Sequence, residues 1–425
     1  MAGHHHREGT VKRVIKFILG ALLGLLVFAA VLLWAATQLL RAAPGEWSQP
    51  LRIGAWHVDA SVTTLWRIAT HPVTLRLLEN RSVRTPYGVL QWRADAQPNT
   101  WRAVCAPCSV RSAELGHDAV QLTRVEFSVR RGGQSDMQGE FALGDAPRMV
   151  RGRWSAHVDA KGAELKFNLP DTPIADAYAL FASAIPELSR ARIDGRIHGD
   201  ARLRLPAREW TIHPHVDGFA VAGLGTEALL DAVPTCNGKA STLKFGSWLP
   251  RAVIAAEDQR FYEHTGYDLA EMTAAWSASP LQGDAPRGAS TLSQQLAKLV
   301  YTGDSRSHLR KLRELLYAVE LDRTLGKGRV LNLYLAMVPW GEGQCGAQAA
   351  SRHYLHKRVD ALTPTEAAWL ASLLHNPDRE LAMLAVSGQV NVERVSWVIN
   401  NLRPMPKLKR EALVNALADW SPALH

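Results

Sequence analysis

The chain has 425 residues, of which 47% are hydrophobic and 21% are charged. This length and balance exclude a disordered chain and allow two globular domains, each with its own core. The formal net charge of +9 suits a protein that lies on anionic lipid or holds phosphates, and we expect no nucleic-acid partner.

The first clear feature in chain order is an uncharged apolar run, FILGALLGLLVFAAVLLWAATQLL, at residues 17–40. Its length is that of a helix that crosses a bilayer, so we predict a transmembrane helix there. Four basic residues precede the run, whereas only Arg41 follows it closely. The positive-inside rule then makes residues 1–16 a cytoplasmic tail and puts the rest of the chain outside the cytoplasm. A signal peptide cleaved near Ala42 and Ala43 is the alternative.

Between residues 45 and 230 apolar residues recur at every second position, which is typical of half-buried strands. In residues 191–205 the apolar positions are odd-numbered and charges lie between them, which predicts one strand, or two strands bent at a glycine. Residues 125–129 and 165–169 repeat the alternation, and a helix is predicted near residues 173–189. We therefore predict a β-rich extracytoplasmic domain, either a lipid-handling sheet or a spacer that binds a partner.

Four cysteines occur in the chain, and only Cys105 and Cys108 lie close together in the sequence. A thioredoxin-like motif would need a strand before the pair and a helix after it, and a zinc site would need a second ligand pair. Neither pattern is present around these residues. The pair is therefore predicted to be a local disulfide or two free thiols.

After residue 240 the spacing of apolar residues becomes helical, and it predicts helices over 290–301, 308–322, 327–337 and 363–374. Thr363 and Glu366 form a capping-box pattern with proline at the first helical position, which predicts a helix start there. Residues 240–425 are thus predicted to form a separate, mainly α domain. The predicted fold class is α+β, with several domains.

The helix predicted in GASTLSQQLAKLVY, residues 288–301, has Ser290 as its expected cap. The stripe opposite its leucine face consists of Thr291, Gln294, Gln295 and Lys298. An ordinary solvated face would mix acids and bases freely. A stripe of a hydroxyl, amides and one ammonium instead predicts the wall of a cleft that holds a polar, anionic ligand.

The next predicted helix, RKLRELLYAVELDR at residues 310–323, places Glu314 among three cations. Arg310 and Lys311 precede it by four and three residues, so they are its neighbours on a helix, and Arg313 adjoins it in the chain. A surface ion-pair ladder is the alternative reading of this helix taken alone.

A third stretch, EDQRFYEHTGYD at residues 257–268, crowds acids, aromatics and a histidine into one turn. With the two helices it suits transfer of a group away from a phosphate leaving group. Pyrophosphate leaves as an anion that cations neutralise, and the attacking hydroxyl needs a base, which a carboxylate supplies. Glycoside hydrolysis would need a carboxyl that stays protonated, whereas the cations near Glu314 favour its ionised form.

These motifs resemble the family 51 glycosyltransferases, the peptidoglycan transglycosylases, and most closely their monofunctional, membrane-anchored members. The resemblance covers residues 246–378. It is carried by WLPRAVIAAEDQRFYEHTGYD, GASTLSQQLAKLVY, RKLRELLYAVELD, and GEGQCGAQAASRHYL followed by LTPTEAAWLASLLHNP.

The resemblance implies a lysozyme-like α-helical fold and polymerisation of the lipid-linked precursor lipid II into glycan strands, with inversion. It implies that Glu257 is the base for the acceptor hydroxyl and that Glu314 is a second carboxylate that manages the pyrophosphate or a divalent cation such as Mg²⁺ or Mn²⁺. Asp258 and His264 would shape the turn around the base. The implied cations for the donor pyrophosphate are Lys298, Arg310, Lys311 and Arg313, and the implied cleft wall is Ser290, Thr291, Gln294 and Gln295.

The family also implies a place on the outer face of the bacterial cytoplasmic membrane, with the catalytic domain in the periplasm. The implied partners are lipid II, the nascent glycan strand, membrane lipids and other cell-wall synthesis proteins. The resemblance implies no certain cofactor, and it leaves open whether a divalent cation binds near Glu314.

The sequence departs from the family pattern at three positions. Leu299 replaces the usual asparagine after the lysine of the second motif, and Asn332 and Ala336 replace a glutamate and an asparagine in the fourth, VLNLYLA. A catalytically weakened scaffold that binds lipid II or cell-wall enzymes is therefore the main alternative to an active transferase, and a hydrolase of glycan strands is a third reading.

Overall fold

The computed structural model describes residues 34–35, 37–53, 56–95, 97–111, 119–231, 236, 247–277, 289–305 and 307–422. The predicted cytoplasmic tail and almost all of the predicted transmembrane helix, residues 17–40, lie outside these residues. Within the described ranges, no helix has both the length and the apolar character needed to cross a membrane.

The first half of the chain is built mainly from strands. They are β1 (Ser48–Ile53), β2 (Trp56–Ser61), β3 (Ser82–Thr85), β4 (Gly88–Ala94), β5 (Thr100–Cys105), β6 (Cys108–Val110), β7 (Val120–Leu122), β8 (Val125–Arg131), β9 (Asp136–Asp145), β10 (Arg148–Val158), β11 (Ala163–Pro173), β12 (Arg192–Leu205) and β13 (Glu209–Ala222). In the described residues, nine of them form one antiparallel sheet in the order β13-β12-β11-β10-β9-β8-β5-β4-β3.

The sheet follows from the alternation seen in the sequence. Leu165 lies opposite Leu203 and Trp154 opposite Phe167, so the apolar residues of neighbouring strands share one face. Strand β12 is continuous, and its register with β13 shifts between Asp194 and Arg196. Gly195 lies at this shift with a φ of 104°, so the expected glycine bend is a bulge inside a single strand.

Short helices flank the sheet. They are α1 (Val62–Ala69), α2 (Pro72–Leu78) and α3 (Ile174–Ala179), with 3₁₀ turns at Pro186–Ser189 and Thr226–Leu229. The single helix expected near residues 173–189 is therefore divided into α3 and a 3₁₀ turn. Pro186 has no N–H to continue an α-helical ladder, and it starts the second piece instead.

The second half of the chain is helical. Its helices are α4 (Trp248–Glu257), α5 (Leu269–Ser277), α6 (Leu292–Ala297), α7 (His308–Met337), α8 (Ala347–Leu355), α9 (Pro364–Ser372), α10 (Pro377–Ser387), α11 (Val392–Asn401) and α12 (Lys407–Asn415), with 3₁₀ turns at Val359–Ala361, Leu373–His375 and Ala416–Asp419. Helix α6 continues into a π-helical turn at Lys298–Thr302. The helices expected over 308–322 and 327–337 are both present: α7 consists of two helical segments separated by a kink at Gly326, where φ is 72° and the backbone is not helical.

Two capping boxes start helices in this region. At α9, Thr363 Oγ1 accepts from the Glu366 N–H at 3.3 Å and Glu366 Oε2 accepts from the Thr363 N–H at 2.9 Å, which confirms the capping box expected there. At α6 the cap is Thr291, whose box partner is Gln294, so the prediction of Ser290 as the cap is wrong by one residue. The reciprocal bonds of a Thr–Gln box satisfy two backbone donors, which a lone serine cannot do.

One apolar core joins the sheet region to the helical region. Val221 and Leu224, at the end of β13, are buried in the same cluster as Leu316 and Leu321 of α7. The predicted α+β architecture is confirmed, with the helices packed on one end of an antiparallel sheet.

The described cysteines form two disulfides. Cys105 is bonded to Cys108, the first of the two alternatives expected from their spacing. Cys236 is bonded to Cys345 across a sequence separation of 109, a pairing that spacing alone cannot reveal.

Candidate active site

Glu257 is the last residue of α4, whose apolar side chains are buried in the core, and the turn begins at Asp258. Glu257 Oε2 accepts a hydrogen bond from Gln295 Nε2 at 3.0 Å, and the Gln295 Oε1 atom accepts one from Tyr334 Oη at 2.8 Å. Arg394 of α11 lies on the other side, with Nη2 3.6 Å from Glu257 Oε1. Elements far apart in the chain therefore hold one carboxylate.

Burial raises the pKa of Glu257, and this effect outweighs the Gln295 hydrogen bond and the Arg394 charge, which lower the pKa. The side chain is 13% exposed, and its Oε1 atom has no hydrogen-bond partner in the described residues. A carboxylate with a raised pKa and an unused acceptor atom has the properties of a general base.

Asp258, the residue after the base, ties the turn to α6. Its carboxylate lies 2.9 and 3.1 Å from His264 Nε2 and accepts from the Leu292 N–H at 2.9 Å. His264 Nδ1 lies 3.3 Å from Lys327 Nζ; since a lysine ammonium is only a donor, Nδ1 accepts and Nε2 carries the proton toward Asp258. Asp258 and His264 thus bond to each other within the turn, and Asp258 also bonds to the start of α6.

Phe261 and Tyr262 of the same turn differ in placement. Phe261 is fully buried and Tyr262 is 63% exposed, and Lys327 Nζ lies 4.5 Å from the Phe261 ring centroid. Lys327 also pairs with Asp322 at 2.7 Å. The aromatic ring of Phe261 therefore packs under the turn and takes no part in chemistry.

Glu314 is the centre of a buried cationic cluster at the start of α7. Its side chain is 0% exposed, and its two oxygens contact Arg310 Nη1 and, at 2.9 Å, Lys311 Nζ. Burial lowers the pKa of Arg310. Burial and the charges of Arg310 and Lys298 lower the pKa of Lys311 to about 8. Arg310 is 12% exposed and Lys311 is 43% exposed, so the cluster is a partly buried positive site that an anion can reach.

The start of α6 connects the base to this cluster. Ser290 Oγ accepts from Lys311 Nζ at 2.5 Å, Leu292 donates to Asp258, and Gln295 holds Glu257. One run of six residues, 290–295, thus contacts the base, its supporting aspartate and the cationic cluster. Lys298 follows on the π-helical turn and pairs with Asp304 at 2.6 Å.

Three of the residues predicted from the sequence make contacts outside the cleft. Thr291 and Gln294 are 2% and 3% exposed and form the cap of α6, so they support the site from behind its wall. Arg313 makes a bidentate pair with Glu187 of the sheet region. Its expected role in holding pyrophosphate has no support in this arrangement.

The surroundings of Glu314 do not fit a divalent cation. Both carboxylate oxygens contact cationic side chains, and a metal ion there would face their charges instead of further oxygen ligands. In the described residues, no cluster of three or more His, Cys, Asp or Glu side chains is arranged to hold a metal.

Sequence reasoning missed three residues of the site. Tyr334 lies inside VLNLYLA, between the departures Asn332 and Ala336. Its hydroxyl donates a hydrogen bond to Gln295 Oε1. Arg394 and Lys327 belong to no recognised motif, and a charged residue on an amphipathic helix gives no signal of its partner. Only the fold reveals these contacts.

Comparison with known proteins agrees with this site. Residues 237–403 match the family model described as transglycosylase. Three biosynthetic peptidoglycan transglycosylases resemble the chain. That of Nitrosomonas eutropha is 43% identical over 129 residues, 30% of this chain and 53% of the relative. That of Klebsiella oxytoca is 42% identical over 158 residues (37% and 64%), and that of an Escherichia coli strain is 40% identical over 155 residues (36% and 63%).

The chain therefore spans between 53% and 64% of the length of these relatives. The matched residues include the base, the cap of α6 and the cationic cluster, whereas the sheet lies before them. Residues 237–403 are therefore similar to the transglycosylase family.

Proposed function

We propose that this protein is a peptidoglycan glycosyltransferase that polymerises lipid II into glycan strands. The observation that carries the proposal is the link, through residues 290–295, between a buried carboxylate base and a partly buried cluster of cations. This is the pairing that glycosyl transfer from a pyrophosphate donor requires.

In the proposed reaction Glu257 removes the proton from the acceptor 4-hydroxyl. The hydroxyl oxygen then attacks the anomeric carbon of the donor sugar from the side opposite its pyrophosphate. The new C–O bond forms as the bond to the pyrophosphate oxygen breaks, so the anomeric configuration inverts. The electron pair of the broken bond leaves on the polyprenyl pyrophosphate.

The cations of the second cluster act on the leaving group. Lys311 and Arg310 lie on the first turns of α7, and Lys298 adds a third charge. Because the cluster is partly buried, with Arg310 only 12% exposed, its charges interact more strongly with the anion that develops in the transition state than they would in water. The proposed reaction uses no metal ion at Glu314, because the residues around this carboxylate do not fit one.

The proposed location is the outer face of the bacterial cytoplasmic membrane, with a single N-terminal span and a lysozyme-like helical domain in the periplasm. Two disulfides among the described residues support an oxidising compartment. The proposed partners are lipid II, the growing strand, membrane lipids and other cell-wall synthesis proteins.

The network around the base supports an active enzyme over a scaffold. Gln295 and Tyr334 still hold Glu257 although Leu299, Asn332 and Ala336 depart from the family pattern. A scaffold would have no need for a buried carboxylate with a raised pKa, because burial of such a group costs stability.

The test is polymerisation of labelled lipid II by the full chain and by Glu257→Gln. Removal of the base lowers kcat by about 10²- to 10⁴-fold. Glu263→Gln, an exposed position in the same turn, is the matched control and keeps wild-type activity. Absence of polymer from the wild type would refute the proposed function, and equal rates from wild type and Glu257→Gln would refute the assignment of the base.

A further inference from the structure

Helix α7 has a second polar face, turned away from the proposed reaction and toward the β-rich region. Its members are spaced by four, three and four residues, which places them on one side of a helix. They are Arg313, Tyr317, Glu320 and Thr324, and each bonds to a residue between 187 and 226. The helix that carries Glu314 is therefore held from behind by the sheet region.

The strongest of these contacts comes from the turn Pro186–Ser189. Glu187 is 6% exposed, and it accepts from Arg313 Nε at 2.9 and 3.0 Å and from Arg313 Nη2 at 2.6 Å. Burial raises the pKa of Glu187, but the Arg313 hydrogen bonds and nearby positive charges outweigh it and lower the pKa. Two charged groups fixed in this fork geometry determine where α7 lies.

The same turn reaches the π-helical segment through an aromatic pair. Arg190, which ends the turn, donates to Tyr317 Oη at 3.1 Å. The Tyr317 ring stacks on Tyr301, with centroids 4.1 Å apart and an interplanar angle of 2°. Tyr301 lies in the π-helical turn that also carries Lys298, so one turn of the β-rich region supports both sources of positive charge.

Two further contacts complete the attachment. Tyr178 of α3 donates to the Leu312 carbonyl at 3.2 Å, between Lys311 and Arg313 in the chain. Glu320 is 3% exposed and accepts from the Leu224 N–H at 3.0 Å. These bonds are buried and specific in direction, so they fix the rotation of α7 as well as its distance from the sheet.

We propose that the turn Pro186–Ser189 and the adjacent Arg190 position α7 and the π-helical turn for donor binding, which makes the β-rich domain part of the transferase machinery. Glu187 and Arg190 are positioning residues that act through Arg313 and Tyr317 on the neighbouring cations. The turn precedes the family-matched residues 237–403. This inference rests on the proposed function.

The experiment compares Glu187→Gln with Glu126→Gln in the full chain, with lipid II as substrate. Glu126 is a matched control because it is 12% exposed and pairs with Arg102 and Arg124 inside the sheet. Glu187→Gln lowers kcat about tenfold, since small misplacements of catalytic groups have large effects on rate. Glu126→Gln keeps wild-type kcat, and Glu187→Asp, which retains the charge, gives an intermediate value.

The alkaline limb of the pH profile of kcat/KM distinguishes a displacement of α7 from a smaller fraction of folded protein. In the wild type the limb reports Lys311, which faces Arg310 and Glu314 of its own helix, Lys298 of the π-helical turn and Ser290 before α6. When α7 shifts, Lys311 gains water and the limb moves to higher pH. A smaller folded fraction lowers the rate and leaves the limb in place.

Each result decides the matter. A reduced kcat with a shifted limb for Glu187→Gln supports the inference. If Glu187→Gln behaves like Glu126→Gln while the wild type polymerises, the inference is wrong and the proposed function stands. If the wild type makes no polymer, both fail.

Tyr178→Phe is the alternative variant if Glu187→Gln folds poorly. It removes only the tyrosine hydroxyl that donates to the Leu312 carbonyl. We expect kcat to be about threefold lower, and wild-type kcat for this variant would overturn the inference.

Discussion

At the scale of single residues, Lys311 makes the donor site sensitive to alkaline pH. Its pKa is lowered to about 8 because burial and two neighbouring cations disfavour its charged form. The cation is present below that pH and is lost above it. We therefore expect kcat/KM to fall about fivefold between pH 8 and pH 9 in the wild type, and about tenfold for each further pH unit. In Lys311→Arg the fall disappears, because a guanidinium stays charged throughout this range.

Lys298→Arg is the matched control for that measurement. Lys298 is a cation of the same cluster with a similarly exposed side chain, 40% against 43% for Lys311, but it forms its ion pair with Asp304 instead of Glu314. The same substitution there leaves the alkaline fall in place. A pH profile of Lys311→Arg that superimposes on the wild type would show that another group is responsible.

The residues of the site differ in how far the sequence could reveal them. Glu257, Glu314 and Lys311 could be named as site candidates because their spacing in short motifs carries the signal, and the fold links them through residues 290–295. Arg313 was grouped with the cations because it adjoins Glu314 in the chain, yet a helix turns by 100° per residue. That rotation takes its side chain to Glu187 on the other side.

At the scale of secondary-structure elements, Gly266 sets the contact between the catalytic turn and α7. Its φ is +85°, and a Cβ there would lie 2.5 Å from the Ala318 carbonyl oxygen. Its own carbonyl accepts from Thr291 Oγ1 at 2.7 Å. We expect Gly266→Ala to lower the free energy of unfolding by about 1–3 kcal/mol from overlap, in addition to about 1 kcal/mol from the left-handed backbone.

Gly218→Ala separates the two effects in a denaturant titration. Gly218 has a φ of +60° and open space around its Cβ position, so only the backbone cost applies. Gly266→Ala also lowers kcat because it pushes the turn of Glu257 away from α7, whereas Gly218→Ala does not. Equal losses of stability from the two substitutions would show that the close approach to Ala318 is unimportant.

The sequence predicted elements where a local pattern is complete. The alternation in residues 191–205 predicted β12, and the capping box at Thr363 predicted the start of α9. The two helices predicted over 308–322 and 327–337 are also present, separated by the non-helical backbone at Gly326. The prediction failed at the start of α6, where the cap is Thr291 and not Ser290 because Gln294 completes its capping box.

At the scale of the whole molecule, the relation between the two regions could not be predicted from the sequence. Their shared core and the bond from Glu187 to Arg313 join residues more than a hundred positions apart, and no local pattern encodes such a contact. The disulfide between Cys236 and Cys345 belongs to the same class, since it joins the segment after the sheet region to the chain that follows α7.

This long-range disulfide is expected to stabilise the molecule more than the local one does. It closes a loop with a sequence separation of 109, against 3 for Cys105 and Cys108, and loop-closure entropy then favours it by roughly 3 kcal/mol. We therefore compare the midpoints of denaturant unfolding of two double variants, measured by tryptophan fluorescence. The midpoint of the variant with Cys236→Ser and Cys345→Ser is expected to lie well below that of the variant with Cys105→Ser and Cys108→Ser. Because Glu187, Arg190 and Tyr178 still attach the sheet region to α7, the folded double variant keeps its rate of polymerisation. A loss of rate at full folding would mean that the disulfide, and not these buried contacts, sets the position of α7.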